Sequence, residues 1–218
     1  SNYFRNGSQQ NRQGSEPYYP LKIKSLLMYN LVTYPNPILK QRCEPFDFEK
    51  PQVDLDLLLT DMKRVLEDEE GFGLAAPQVG VALRIFLING ATTNQYNDKK
   101  QFEPMVFINP TVTPVRDMKV VLPEGCLSFP AGDGSVDVER PLFVKVEAFD
   151  RHGKSFTIDC SDGFQQILDD EFVDESNRII LSRVIQHEND HLDGVTLLDR
   201  VKGISKEMFK RKLRKYRS

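Results

Sequence analysis

Two patterns predict an α+β fold for this chain. Short apolar or alternating runs fill its middle, each closed by turn residues, as the strands of an antiparallel sheet are. Longer segments with apolar residues every three or four positions flank them: one in the N-terminal half, one after the strands and one at the C-terminal end. We therefore expect antiparallel sheets packed around a central helix, with an N-terminal-half helix and a C-terminal helix. The 218 residues, 39% hydrophobic with a formal net charge of −3, suffice for one domain with a real core plus extensions.

Residues 1–27 are rich in Ser, Asn, Gln and Gly. They cannot bury enough apolar surface to offset the entropy of ordering, so we read them as a flexible extension, either appended or a targeting remnant. The patterned body is expected over 28–202. Pro35-Asn36-Pro37 forces an extended or turning path. Asp54 to Glu69 carries Leu55, Leu58, Leu59, Met62, Val65 and Leu66 at helical spacing, and Gly71 and Gly73 are expected to end that helix. Arg84 to Ile88 and Phe107 to Ile108 read as strands, the second closed by Asn109-Pro110. Lys119 to Leu122, Phe143 to Phe149 and Ser155 to Ile158 follow, with Asp150-Arg151-His152-Gly153 as the turn of a hairpin. Ile179 to Leu192 is apolar-periodic. A basic amphipathic helix near Ile204 to Tyr216 closes the chain, with seven basic residues and one acid over 203–218.

No apolar run approaches the roughly 18 residues of a membrane helix, and no charged start leads into an apolar stretch as in a signal peptide. Neither a membrane nor DNA is an expected partner. The three cysteines, Cys43, Cys126 and Cys160, are too few and odd in number for a disulfide framework, which argues for a reducing compartment. A special cysteine here is then a ligand or a nucleophile.

The most informative stretch is Gln186-His187-Glu188-Asn189-Asp190-His191. On a helix, positions i and i+4 share a face, so His187 and His191 can aim imidazole nitrogens at one metal ion. Glu188 lies beside them as a candidate acid/base. The bland alternative is a solvated histidine pair. A catalytic site of this kind takes a third protein ligand. Cys126 stands in Leu122-Pro123-Glu124-Gly125-Cys126-Leu127-Ser128-Phe129-Pro130, a Pro-bounded loop after a strand, and a thiolate suits Zn²⁺ or Fe²⁺. Taken alone, Cys126 reads first as a small buried hydrophobe, as Cys43 and Cys160 do. A third segment, Gly71-Phe72-Gly73-Leu74-Ala75-Ala76-Pro77-Gln78-Val79-Gly80, has glycines that permit close backbone approach and an amide donor in Gln78. Alone it reads as a helix C-cap and a loop; as a phosphate loop it lacks the following Lys-Ser/Thr.

Together the three segments resemble the peptide deformylase family, whose motifs are G-x-G-L-A-A-P-Q, E-G-C-L-S and Q-H-E-x-D-H-L. They occur here as Gly71 to Gln78, Glu124 to Ser128 and Gln186 to Leu192, in the family's order. The resemblance runs from about Leu31 to Arg200 and takes in Tyr34 to Leu39, Asn109-Pro110, Arg140-Pro141, Gly194 and Asp199-Arg200. It implies removal of the formyl group from the N-terminal formylmethionine of newly made polypeptides. Carried over by residue, it implies Cys126, His187 and His191 as metal ligands and Glu188 as the general acid/base. Gln78 and the backbone N–H of Leu127 become the oxyanion donors. Gly71, Phe72, Gly73 and Val184 become the substrate-binding positions, with the peptide lying as an extra strand beside Gly73. The implied cofactor is a divalent ion: Fe²⁺ in the cell, with Zn²⁺, Ni²⁺ or Co²⁺ as substitutes in purified protein. The implied location is the bacterial cytoplasm, or an organelle matrix or stroma if residues 1–27 are a targeting remnant.

The chain departs from the family pattern twice. An acidic insertion at about 163–177 precedes the metal helix and is expected to form a surface excursion; over 155–177 there are seven acids and no Lys or Arg. Ala131-Gly132-Asp133-Gly134-Ser135 stands where the family often has Pro-Gly. The basic helix 203–218, otherwise a solvated helix, is a candidate contact with ribosomal RNA, because nascent chains emerge at the ribosome. Two rival functions remain at this level. An H-E-x-x-H metallopeptidase usually takes its third ligand downstream, where this chain has no further histidine. A catalytically silent peptide-binding relative should have lost Glu188 or a ligand, and none is missing.

Overall fold

A computed structural model describes residues 29–89, 103–129, 135–162 and 175–216. The N-terminal extension, most of the Ala131–Ser135 loop and all but the last three residues of the acidic insertion lie outside the described residues.

Helix α1 (Leu55–Asp68) forms where apolar periodicity puts it. The Asp54 side chain accepts the Leu57 N–H at 3.0 Å and so caps the first turn. Glu69 closes the helix, Glu70 takes a left-handed φ of 51°, and the Gly71 N–H returns to the Leu66 carbonyl at 3.0 Å. Gly73, expected to help end this helix, instead opens strand β1 (Gly73–Ala75).

Strands β1, β2 (Ile85–Ile88), β3 (Met105–Pro114), β6 (Val144–Phe149) and β7 (Ser155–Asp159) form one sheet in the order β1-β2-β3-β6-β7. Every neighbouring pair in it is antiparallel. Strands β4 (Lys119–Glu124) and β5 (Val136–Pro141) make a separate two-stranded sheet. Strand β3 does not stop at Asn109-Pro110 as expected. The register shifts between Ile108 and Thr111, Asn109 takes a φ of 51°, and the strand resumes. The Asn109 side chain stabilises this bulge: it accepts the Phe46 N–H and donates to the Phe46 carbonyl, both at 2.8 Å, as a neighbouring strand would.

Both faces of the large sheet are covered. In β2, Ile85 and Leu87 join the cluster under α1, and Phe86 and Ile88 join the cluster under helix α2 (Glu175–Leu192). That split is the period-two alternation of a strand buried on both sides. Helix α2 contributes Leu181, Val184, Ile185 and Leu192 to the second cluster, where Phe86 and Phe107 stack at 4.7 Å. The β4–β5 hairpin lies along another side of α2: the Arg183 Nη2 donates to the carbonyls of Val120, Leu122 and Val138 at 3.4, 3.3 and 2.7 Å. The antiparallel sheets are thus packed around a central helix.

After the short helix α3 (Leu197–Arg200), helix α4 (Gly203–Tyr216) completes the fold. Its Phe209 and Leu213 are buried with Phe129, Val138, Leu197 and Leu198. Ile204 and Met208 point outward, 80% and 61% exposed. No described helix is long and apolar enough to cross a membrane. Truncating Phe209 to Ala should lower the unfolding free energy by about 3–5 kcal/mol. Met208→Ala should change it by less than about 0.5 kcal/mol. Urea titrations of the two variants check the contrast.

Candidate metal centre

Helix α2 carries His187 and His191 one turn apart, with ring centroids 5.1 Å from each other. The turn after β4 brings up Cys126, whose Sγ lies 3.3 Å from His191 Nε2. Ligand atoms of Cys126, His187 and His191 all fall within 4.8 Å of one another. One thiolate and two imidazoles converging in this way fit a divalent ion held by three protein ligands, with a position left for water or substrate. The other two thiols do not compete. Cys43 and Cys160 are buried, and burial pushes their pKa values up to about 11 and about 12, so they stay inert.

The carboxylate of Glu124 orders the first histidine. Its Oε2 lies 3.0 Å from His187 Nδ1, which leaves Nε2 to face the centre. Burial alone would raise the Glu124 pKa, but hydrogen bonds from Arg140 and His187 outweigh it and hold the group at about 2. Burial likewise disfavours the His187 cation. The hydrogen bonds with Cys126 and Glu124 overcome that and raise its pKa well above the usual imidazole value. His191 shifts the other way, lowered by burial and by the neighbouring His187. Ligation requires both rings neutral, so a bound cation reverses the His187 preference and releases its proton. Glu188 is buried, and that burial pushes its pKa up to about 7. A carboxyl poised there can both take and give a proton near neutral pH. Its Oε2 has no hydrogen-bond partner among the described residues, so it can accept from a water and, once protonated, donate to a substrate.

Gln78 sits in a single turn of 3-10 helix, Ala76–Val79, between β1 and β2. Its Oε1 accepts the Ala75 N–H at 2.8 Å, which orients the amide. Its Nε2 points at Ser128 Oγ (3.2 Å) and Cys126 Sγ (3.7 Å). The Leu127 N–H has no acceptor among the described residues. A groove of about 480 Å³ opens beside the centre, lined by Gly71, Phe72, Gly73, Leu127, Val184 and Glu188 among others. Its other side is the end of β4 with Cys126, while His191 is 1% exposed at the base of the cluster. Among the described residues strand β1 is the edge of its sheet, and no described strand pairs with its outer hydrogen-bonding side. Gly73 is required by close approach: a Cβ there would stand 2.6 Å from Glu188 Oε1 and 2.8 Å from Val184 Cγ1.

All ten residues singled out from the sequence therefore gather at one place. Four others take on a role only in three dimensions. Glu124 and Asp190 stood in quoted motifs and Arg140 within the span of the resemblance, but nothing in residue order assigned them a role. Folding alone brings Arg140 and Arg183 to Glu124, and Asp190 to Arg140. Arg140 Nε and Nη2 donate to the two Glu124 oxygens at 2.6 and 2.9 Å, and Arg183 Nε lies 3.1 Å from Glu124 Oε1.

Two outcomes follow from this geometry. Gly73→Ala should displace Glu188 and lower kcat/KM by on the order of 100-fold, since a shift of about 1 Å can cost that much; steady-state kinetics on a folded variant measure it. The depressed pKa of Glu124 makes its ionised form stabilising. That stability is complete above the ordinary carboxylate value of about 4.3 and is lost as the pH falls from there through about 2. Urea unfolding of the metal-free protein across this range should show the loss, and Glu124→Gln should flatten it.

The sequence model of the polypeptide deformylase family matches residues 28–207. A peptide deformylase of Bartonella tribocorum is 35% identical over 190 residues, covering 86% of this chain and 92% of the relative. One from Cytophaga hutchinsonii is 34% identical over 189 residues, covering 86% and 89%. Among solved structures, a peptide deformylase from Legionella pneumophila superposes with a TM-score of 0.67 at 30% identity, covering 86% of this chain and 94% of that one. The Plasmodium falciparum peptide deformylase gives 0.66 at 31% identity, covering 85% and 94%. The motifs, the fold, the converging Cys–His–His cluster and these likenesses agree: this chain belongs to the peptide deformylase family, metal-dependent hydrolases that remove the formyl group from nascent polypeptides.

Proposed function

We propose that the chain deformylates the N-terminal formylmethionine of new polypeptides through the residues gathered at this groove. The convergence of Cys126, His187 and His191 beside a buried Glu188 oxygen, unpartnered among the described residues, carries the reading. Cys126, His187 and His191 would hold the ion, which would supply Lewis acidity and make water more acidic at the centre. Glu188 accepts a proton from the attacking water. As the formyl carbon becomes tetrahedral, the Leu127 N–H and the Gln78 Nε2 donate to its oxygen. Glu188 then passes its proton to the departing amine, so one water and one formamide become formate and a free N-terminus. The open edge at Gly71 to Gly73 pairs with the substrate main chain, which admits many sequences. Phe72, Leu127 and Val184 border the place for the methionine side chain.

Fe²⁺ is our choice for the ion in the cell, since thiolate and imidazole suit it as well as Zn²⁺, Ni²⁺ or Co²⁺. The reaction belongs where formylated chains are made: the bacterial cytoplasm, or an organelle matrix or stroma. We also assign α4 a ribosomal contact. Arg211, Lys212 and Arg214 are exposed on it while Phe209 and Leu213 anchor it to the body. Deleting the helix would uncover that apolar cluster, so charge reversal is the better probe. Arg211→Glu with Lys212→Glu should abolish salt-sensitive co-sedimentation with ribosomes, and undiminished pelleting would sink the assignment.

Formate release from a formyl-Met peptide by anaerobic, iron-loaded protein tests the reaction. Glu188→Ala should keep the ion and lose on the order of 10²–10⁴-fold in rate, the usual worth of a placed acid/base. Gln78→Ala should lose about 10²–10³-fold in kcat. Retained turnover in Glu188→Ala would overturn the mechanism.

A further inference from the structure

Arg140 is a buried cation far in sequence from the groups it joins. Its side chain is 3% exposed on β5. Nε and Nη2 grip the two oxygens of Glu124 at 2.6 and 2.9 Å, and Nη1 donates to Asp190 Oδ2 at 2.7 Å. Glu124 Oε2 is the oxygen that faces His187 Nδ1. Asp190 immediately precedes His191 on α2 and is also held by Arg200, whose Nε donates to Asp190 Oδ2 at 2.8 Å. One guanidinium therefore ties the carboxylate that aims the first histidine to the carboxylate beside the second. It also ties the hairpin leading to Cys126 to the helix bearing both imidazoles.

Stability alone is a poor reason for such a group. Taking charges out of water is expensive, and well-packed apolar residues often replace a buried ion pair without loss. We propose that Arg140 is a positioning residue for the metal centre, an inference that rests on the deformylase reading of Cys126, His187 and His191. By clamping Glu124 in one orientation it keeps the His187 proton on Nδ1, leaving Nε2 as the ligand. By holding Asp190 it sets the separation between the hairpin and α2, and so between the thiolate and the imidazoles. Arg183 cannot substitute for it. Its Nη2 is committed to three carbonyls of the hairpin, and its Nε approaches Glu124 without a hydrogen bond of good geometry. Lysine cannot substitute either, because one ammonium does not present the planar fork that meets two carboxylates at once.

Zinc affinity by chelator competition tests this on folded protein, together with the His187 ring-proton resonance of the zinc-loaded form. Arg140→Lys and Glu124→Gln should each weaken zinc binding by about 10–100-fold, the usual effect of losing a partner that orients a ligand. The double variant should be little worse than either single one, because both remove the same constraint. The Nδ1 proton resonance of His187 should shift or broaden in all three. Wild-type zinc affinity and an unmoved resonance in Arg140→Lys would overturn the proposal, whatever that variant does to thermal stability. Should Arg140→Lys not fold, Asp190→Ala removes the acceptor oxygens, frees the same guanidinium from the helix and is expected to weaken zinc binding; unchanged affinity there overturns the proposal equally. Failure of the wild-type protein to bind one ion at all, or binding unaffected by Cys126→Ser, would instead overturn the assignment of the centre.

Discussion

An ionised carboxylate taken out of water must be met by donors on every side, and Glu124, 6% exposed, is such a group. Its partners arrive from two directions: Arg140 from β5 and His187 from α2 by hydrogen bonds, with the Arg183 cation of α2 alongside at 3.1 Å. That requirement welds the two-stranded sheet to the helix. The turn after β4 then delivers Cys126 to the same face of α2 that carries the histidines. The polar network is therefore part of the architecture of the centre, and the apolar clusters on the large sheet supply the bulk stability around it.

The position of Glu188 follows from the same packing. Helix α2 lies against β1 so closely that only the absence of a Cβ at Gly73 leaves room for the Glu188 side chain. Close packing excludes water from the carboxyl and raises its pKa to about 7, which suits it to carry a proton in both directions near neutral pH. The backbone that crowds Glu188 is also the open edge of the sheet. Substrate pairing along β1 and proton transfer at Glu188 are thus neighbouring consequences of one contact between a strand and a helix.

Much of this was readable from residue order. Helix α1, the β6–β7 hairpin with its Asp150–Gly153 turn and the metal helix all appear where periodicity and turn chemistry put them. Other elements were not readable, for local reasons. Strand β1 is three residues long and its glycine looks like a helix stop. Strand β3 passes through Asn109-Pro110, a dipeptide that ordinarily ends a strand, because the Asn109 side chain bridges to Phe46, 63 positions away. Strand β5 alternates over only six residues between loops. In α4, amphipathic spacing marked a helix but could not tell the outward Ile204 and Met208 from the anchored Phe209 and Leu213.

By itself the sequence determined the reactive inventory: two histidines at i and i+4, a glutamate beside them, a cysteine in a tight turn and a glutamine after a glycine pair. Those identities and spacings are local, and local geometry on a helix or in a turn makes them meaningful. Only the tertiary structure decided which carboxylate orients His187, which arginine holds that carboxylate, and why Gly73 has no side chain. These are contacts between segments distant in sequence, enforced by desolvation and close packing, and no local pattern encodes them.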